Sequence, residues 1–259
     1  MFKHIIKFTF IVAILGTINS TQAQENRVVD SQFDTWWSNV NTYNLHPKWH
    51  LSSELHIRRT NGFKNWQQFV IRPAANFKLN DNVHFALGYT YILSYPYGNQ
   101  SIHIATPEHN VWEQVTLKHK IGRVAFSHRY RFEQRFMGNR ITDEAGEYHL
   151  DGFNFGERFR YRLTASIPLT ANKRWFIKAF DEIWINQEDF LPTGLKQNWA
   201  YLGAGFKFTK RANVQLGFMH QLVKKGDGIH FESNPTLQFT VGYTLGRLHT
   251  TKLPETGKN

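Results

Sequence analysis

The sequence predicts an all-β protein, an antiparallel transmembrane β-barrel of about 10–12 strands with short periplasmic turns and longer extracellular loops. Three observations predict this class. The first 23 residues have the composition of an export signal. About eleven later segments alternate apolar and polar residues with a period of two. The connections between them alternate between about four residues and longer stretches, as in barrels of the bacterial outer membrane.

The export signal occupies residues 1–23. Lys3 and Lys7 give it a positive start, and residues 8–18 form an apolar core that is shorter than the ~20 residues of a membrane-spanning helix. Thr21 and Ala23 satisfy the small-residue rule, so cleavage after Ala23 is expected. The alternative is a short N-terminal membrane anchor. An export signal followed by a predicted barrel indicates the outer membrane of a Gram-negative bacterium as the location.

Composition narrows the choice of partners. The net charge is +11, but lysine and arginine occupy alternate strand positions and turns and do not cluster on a helix, so a nucleic-acid partner is not expected. Outer-membrane lipid and small anionic solutes fit this charge better. The chain has no cysteine and therefore no disulfide or thiolate metal site. The thirteen histidines show no accepted ligand spacing, and no cofactor or metal is predicted.

Eleven segments are predicted to be strands because apolar and polar residues alternate along them. In chain order they are 33–44, 49–59, 66–78, 83–95, 110–119, 124–136, 153–167, 174–186, 198–208, 213–222 and 231–245. Most match the length of a tilted strand that crosses a bilayer, ~9–11 residues. The pattern is clearest in 83–95, where every odd position is apolar or aromatic. The Gly-rich segment 198–208 lacks the helix of a phosphate loop and predicts tightly packed strands.

The connections carry turn residues. Tight turns are predicted at LHPK, LNDN, KIGR and TKRA, and in the first three of them Pro, Asn, Asp or Gly interrupts the alternation. Long loops are predicted at 96–109 and 137–152, and both are long enough to fold into the lumen. The barrel proper is assigned to 33–246, with a polar tail at 247–259.

Two features do not fit the simple pattern. An even strand number is usual for bacterial barrels, so either residues 24–32 supply a short twelfth strand, which we favour, or they thread the lumen, or one of the eleven segments is not a strand. In 174–186, Asp181 shares its face with apolar residues. Either a bulge near Asp181 and Glu182 re-aims it, which we favour, or this strand lies partly outside the hydrocarbon. Tryptophans at strand starts predict interfacial girdles; they are Trp49, Trp66, Trp112, Trp175 and Trp199.

Several short patterns carry a family resemblance. They are LHPKWHLSSELHIR, KLNDNVHFALGYTYI, FSHRYRFEQRF, FDEIWIN, KQNWAYLGAGFKF and LGFMHQL, in this order. Together they resemble the domain-of-unknown-function family 2490 (DUF2490) of barrels that are common in Bacteroidetes. The resemblance covers nearly the whole mature chain. It implies an outer-membrane location but no substrate and no catalytic residue.

Two arginine ladders on neighbouring strands are the main candidate site. They lie on the polar faces of 124–136 and 153–167, with acids on these and nearby strands as partners. The predicted lumen residues are Arg129, Arg131, Glu133, Arg135, Arg158, Arg160, Arg162, Glu54 and Glu182, with Glu113 as a further acid. One interpretation is a wall that attracts anions in a narrow, porin-like channel. The other is a structural ion-pair network inside a plugged barrel.

Two other functions remain open. His50, Ser52, Glu54 and His56 share one face of a strand and could carry a lipid-modifying enzyme, since a nucleophile needs a base and an orienting group within reach. A soluble periplasmic binding protein would instead turn the apolar faces inward. About eleven such faces carry more aromatic residues than one soluble core would hold, which argues against this alternative.

Overall fold

The structure, a computed structural model, describes residues 27–99, 102–186 and 195–246. Its strands are β1 (Val28–Asp30), β2 (Asp34–Asn44), β3 (Trp49–Thr60), β4 (Asn65–Lys78), β5 (Val83–Ser94), β6 (Thr106–Ile121), β7 (Val124–Thr142), β8 (Tyr148–Pro168), β9 (Trp175–Asn186), β10 (Leu195–Lys207), β11 (Ala212–Lys224) and β12 (His230–Gly246). The described residues include no helix long and apolar enough to cross a membrane. The predicted export signal and polar tail lie outside the described residues.

The sheet closes into a barrel. Neighbours from β2 to β12 pair antiparallel, and β12 then pairs with β2 from Thr236↔Asp34 to Gly246↔Asn44. Eleven strands surround the lumen, within the predicted range of 10–12. With an odd number of alternating strands the first and last run in the same direction, so the closing pair is parallel.

The twelfth strand, which was expected because bacterial barrels usually have an even strand number, does not become one of the strands that enclose the lumen. Residues 28–30 form β1, which pairs in parallel with the start of β12, from Val28↔His230 to Asp30↔Glu232. The same strand, β12, then pairs with β2 from Thr236 onward. β1 therefore adds a twelfth strand to the sheet, while the circumference remains eleven.

The two ends of the barrel differ. At the short-turn end, the connections are 45–48, 79–82, 122–123, 169–174 and 208–211. At the long-loop end, three strands are longer than predicted. β6 begins earlier, at Thr106, β7 ends later, at Thr142, and β8 begins earlier, at Tyr148. The predicted loop 137–152 is mostly a β-hairpin with cross-strand pairs as far as Thr142↔Tyr148, so it does not fold into the lumen as a plug.

The outer face is apolar and carries aromatic rings near both ends. Trp49 and Trp175 pack on Phe77 and Phe206 at the short-turn end, with ring centroids 4.8 Å apart in each pair. Trp66 packs on Tyr95 at the other end, at 5.5 Å. The three tryptophans are 41–50% exposed, as interfacial girdles require.

Trp112 and Trp199 do not belong to the girdles. They are 2% and 5% exposed and point into the lumen. The Trp112 ring lies over Gly88, and its indole N–H donates to Thr90 Oγ1 at 2.9 Å. Their positions in the strand alternation turn them inward, although their residue type and their place in the sequence suggested an interface.

The bulge expected near Asp181 is absent. β9 pairs in unbroken register with β8 through Leu163↔Asp181 and with β10 through Ala200↔Asp181. Asp181 therefore stays on the outer face beside the apolar residues. The amide of Asn198 compensates its carboxylate, because Nδ2 lies 3.1 Å from both oxygens.

Candidate functional site

The two arginine ladders lie side by side on the inner face of the neighbouring strands β7 and β8. The register between β7 and β8 places Arg129 opposite Arg162 and Arg131 opposite Arg160. Like charges directly across a strand pair are unfavourable, so acids on the same strands or the next strand must compensate. The inward positions Glu133 and Glu182 supply this compensation, and both are at most 1% exposed.

Each of these two carboxylates is surrounded by arginines. Glu133 accepts hydrogen bonds from Arg158 Nε and Arg160 Nη1, both at 2.7 Å, and Arg131 Nη1 lies 3.8 Å away. Glu182 accepts from Arg160 Nε at 2.9 Å, from Arg162 Nε at 3.0 Å and from Arg129. Arg160 bridges both carboxylates. The result is a continuous, buried ion-pair network across the inner face of β7, β8 and β9.

Two further acids extend the network. Glu108 receives a bidentate hydrogen bond from Arg135 at 2.8 and 2.9 Å. It lies within the predicted loop 96–109, although its even position in β6 matches the inward Thr106 and Asn110. Glu113 points outward, where its carboxylate lies 3.3–3.4 Å from Gln134 Nε2. It is therefore not a partner of the ladders.

Positive charge exceeds negative charge in the middle of the lumen. Among the described residues, this region holds nine cations and four glutamates. The cations are Arg58, Arg72, Arg129, Arg131, Arg135, Arg158, Arg160, Arg162 and Lys178, and the glutamates are Glu54, Glu108, Glu133 and Glu182. An excess of five positive charges remains. Asp34, Glu232 and Lys225, which lie nearer the long-loop end, reduce this excess only to four.

Two of the nine cations have no acid partner among the described residues. Arg58 donates to Gln68 Oε1 at 2.5 Å, and its guanidinium lies 3.8 Å from the ring centroid of Trp36. Lys178 lines a lumenal cavity without a hydrogen bond to any described residue. Neither residue was among the predicted lumen residues. Their inward strand positions, opposite the apolar residues of β3 and β9, were the available signal.

A layer of side chains separates two cavities within the lumen. Two cavities of about 280 and about 190 Å³ lie on either side of it. The residues that line both cavities form the layer, which we call the septum: Trp36, Arg58, Arg72, Arg160 and Trp199. The two tryptophan rings meet edge to face with centroids 5.3 Å apart. The larger cavity lies toward the short-turn end, and we call it the short-turn chamber.

The wall of β10 and β11 leaves this chamber open because it carries glycines. A Cβ at Gly203 would lie 2.2 Å from the Tyr201 hydroxyl, and one at Gly217 would lie 2.4 Å from the same ring. Tyr201 therefore lies flat against the wall. Phe176 lies over Gly205 in the same way. The Gly-rich segment thus accommodates aromatic rings, which is more specific than the close strand packing predicted from the sequence.

The enzyme-like cluster is arranged differently from the prediction. Ser52 Oγ accepts a hydrogen bond from Asn76 Nδ2 at 2.9 Å, and no contact joins it to His50. Instead, Ser38 Oγ lies 2.8 Å from His56 Nδ1, and His56 Nε2 lies 2.9 Å from Glu54.

This Ser–His–Glu relay faces the lumen, away from the outer surface where lipid substrates would lie. Arg72 also holds Glu54, at 2.6 Å. His56 is buried, and both of its ring nitrogens are already engaged by Ser38 and Glu54. The relay is therefore best described as part of the hydrogen-bonded lumen wall.

The geometry defines a class: a closed β-barrel with an apolar outer face and a charged interior. The family model described as "Protein of unknown function (DUF2490)" matches residues 33–232, most of the chain, and the protein belongs to this family. It is 24% identical over 199 residues to an uncharacterized protein of Methylorubrum extorquens, covering 74% of this chain and 79% of that one. A solved structure of the NanC porin matches 83% of this chain and 99% of its own, with a TM-score of 0.48 and 11% identity.

Proposed function

We propose that this protein spans the outer membrane of a Gram-negative bacterium and serves as a narrow channel that prefers small anions. The apolar outer face supports the membrane location, since a soluble binding protein would turn that face inward. Aromatic rings at both ends match the girdles of membrane barrels. The export signal that the sequence predicts in residues 1–23 supports the same location.

The excess of five positive charges in the middle of the lumen carries the proposal of anion preference. Rows of arginine and lysine in a pore favour anions and repel cations. The low-dielectric barrel wall focuses this field along the lumen. A network that served stability alone would need no such excess, because every unpaired buried charge is costly.

The septum limits what can pass. We expect small, fluctuating conductance and exclusion of large solutes, because ions must pass the side chains of the septum between the two cavities. A structural barrel without conductance is the second candidate. The three arginines around each of Glu133 and Glu182 favour it, because such networks also fix a unique packing.

The decisive experiment is the reversal potential of the full mature chain in planar bilayers under a tenfold KCl gradient. We expect anion selectivity in the wild type. The double variant Arg58→Gln and Arg129→Gln should move the reversal potential toward that of a nonselective pore. Neither change leaves a buried glutamate alone, since Arg160 and Arg162 still hold Glu182.

The matched control is Lys64→Gln with Lys210→Gln, which removes two exposed charges at opposite ends of the barrel. Mobile ions screen charges at the mouths within about 10 Å at 0.1 M salt, so this variant should shift the potential less. Equal selectivity in the lumen variant and the wild type would contradict the anion channel. A folded barrel with heat-modifiable gel mobility and no conductance would favour the structural role.

A further inference from the structure

The short-turn chamber has one charged side and one hydrogen-bonding side. Lys178, Arg129 and Arg162 line it from β7, β8 and β9. Asn213, Gln215 and Gln238 line it from β11 and β12. The flat Tyr201 ring over Gly203 and Gly217 keeps the space between these sides empty. A solute in the chamber would therefore meet cations on one side and amides on the other.

The charges beside the chamber are not balanced by the protein. Glu182 serves Arg129, Arg160 and Arg162 at once. Glu54, on the other side of the cavity, is held by Arg72 and His56. The Lys178 ammonium has no acid partner among the described residues, and Nε of Arg129 is buried without a hydrogen bond. These partly buried cations line the cavity and would attract a small anion into it as a counter-charge.

We propose that the short-turn chamber is a binding site for a small hydroxylated carboxylate. The carboxylate lies against Lys178, with Arg129 and Arg162 behind it, and the hydroxyl groups bond to the amides of Gln215 and Gln238. This inference rests on the anion-preferring lumen proposed above and specifies the class of solute. The volume of about 280 Å³ is at the lower limit of ligand pockets, so a molecule of a few carbons fits.

The test is isothermal titration of the full mature barrel in detergent with glycerate. Glycerol is the matched neutral molecule, because it differs only by a hydroxymethyl group in place of the carboxylate. We expect saturable binding of one glycerate per barrel and none of glycerol. Lys178→Gln should weaken glycerate binding at least tenfold. The control Lys64→Gln removes an exposed lysine at the long-loop end and should bind as the wild type does.

A second pair of variants tests the other side of the chamber. Gln215→Leu should weaken glycerate binding and leave acetate binding unchanged, since acetate has no hydroxyl group. Gly217→Leu should drive the Tyr201 ring into the chamber and abolish binding of both anions. Heat-modifiable gel mobility verifies that each variant is folded.

The outcomes separate the two proposals. The binding site is overturned if the wild type shows no saturable heat with glycerate, or if Lys178→Gln binds it as tightly as Lys64→Gln does. Binding does not require ion flow, so glycerate binding by a barrel without conductance would support the site and contradict the channel. Anion-selective conductance without glycerate binding would overturn the site alone.

Discussion

Two adjoining parts of the lumen wall, β7–β9 and β10–β12, are built in opposite ways. The inner face of β7–β9 carries seven of the nine central cations, and two buried glutamates on the same face, Glu133 and Glu182, hold five of them. The inner face of β10–β12 carries glycines, amides and aromatic rings and none of those cations. The outer faces of both parts follow the same alternation. One strand pattern therefore specifies the apolar exterior, while the interior varies independently of it.

The difference has a physical consequence for the lumen. Eleven strands enclose a narrow interior that long side chains can fill, as in other small barrels. The lumen next to β7–β9 is filled by arginine side chains, whereas the lumen next to the glycines of β10–β12 is partly empty. The short-turn chamber lies where the two parts meet. β7–β9 supply cations to its lining, β3 and β4 add Arg58, Arg72 and Glu54, and the glycines of β10 and β11 leave its space open.

Removal of an acid from the charged wall should have the largest effect. Glu182→Gln leaves Arg129, Arg160 and Arg162 close together with no carboxylate between them. Breaking a buried ion pair in this way costs about 3–5 kcal/mol of unfolding free energy. Equilibrium urea unfolding in detergent, followed by tryptophan fluorescence, measures this loss.

Glu113→Gln is the matched control, because Glu113 lies on the outer face next to Gln134. We expect its unfolding free energy to stay within about 0.5 kcal/mol of the wild type. If Glu182→Gln were equally mild, the charged wall would not be an ion-pair network that stabilises the fold.

A change in the other wall should affect the pore more than the fold. Trp199 belongs to the septum, where it packs on Trp36 and on Trp184, with the latter centroids 4.4 Å apart. Trp199→Ala removes this ring and joins the two cavities, so single-channel conductance should rise severalfold. The control Trp175→Ala removes an exposed girdle ring and should leave conductance unchanged. Equal conductance in the two variants would show that Trp199 does not close the lumen.

Sequence patterns were sufficient for the outer face and for part of the inner face. Period-two alternation placed the ladder arginines, Glu133 and Glu54 together on polar faces. It also contained the correct position of Trp112, which alternates in phase with Asn110 and Gln114, but the preference of tryptophan for interfaces suggested the opposite. Glu108 was missed because Pro107 resembles a loop residue, whereas here it occupies the second position of a strand.

Other features depend on contacts that no local pattern reveals. The parallel closure of β12 on β2 joins residues about 200 positions apart, and only the strand count of the whole barrel requires it. The septum combines residues of β2, β3, β4, β8 and β10. The empty half of the chamber follows from Tyr201 lying across glycines of two strands, which the sequence of either strand alone does not show.

Outside the lumen the two walls resemble each other. The turn between β7 and β8 is held by Asp143, which accepts N–H groups of Glu147 and Ala145 at 2.8 and 2.9 Å and lies 2.8 Å from His149 Nε2. The turn between β11 and β12 is held by Asp227, which accepts N–H groups of His230 and Ile229 at 2.9 and 3.0 Å. The contrast between the walls is thus confined to their inward residues.

These turns give the smallest expected effect. The hydrogen bonds from the N–H and side chain of His230 lower the pKa of Asp227 to about 2, and those from the N–H of Glu147 lower that of Asp143. A carboxylate whose pKa is lower in the folded state stabilises its turn above the unfolded value, about 3.9, and loses this contribution as the pH falls through the folded value. The turn at 225–229 should therefore loosen between pH 4 and pH 2.

Amide hydrogen exchange detects this loosening. At pH 4, Asp227→Asn should exchange faster than the wild type at the amides of Ile229 and His230, and the difference should shrink toward pH 2 and vanish below it. Asp143→Asn should act in the same way on Ala145 and Glu147. Exchange in the middle of β8 and β11 should not change. Wild-type protection at pH 4 in both variants would mean that these carboxylates do not hold the turns. It would contradict the claim that the turns of the two walls are stabilised in the same way.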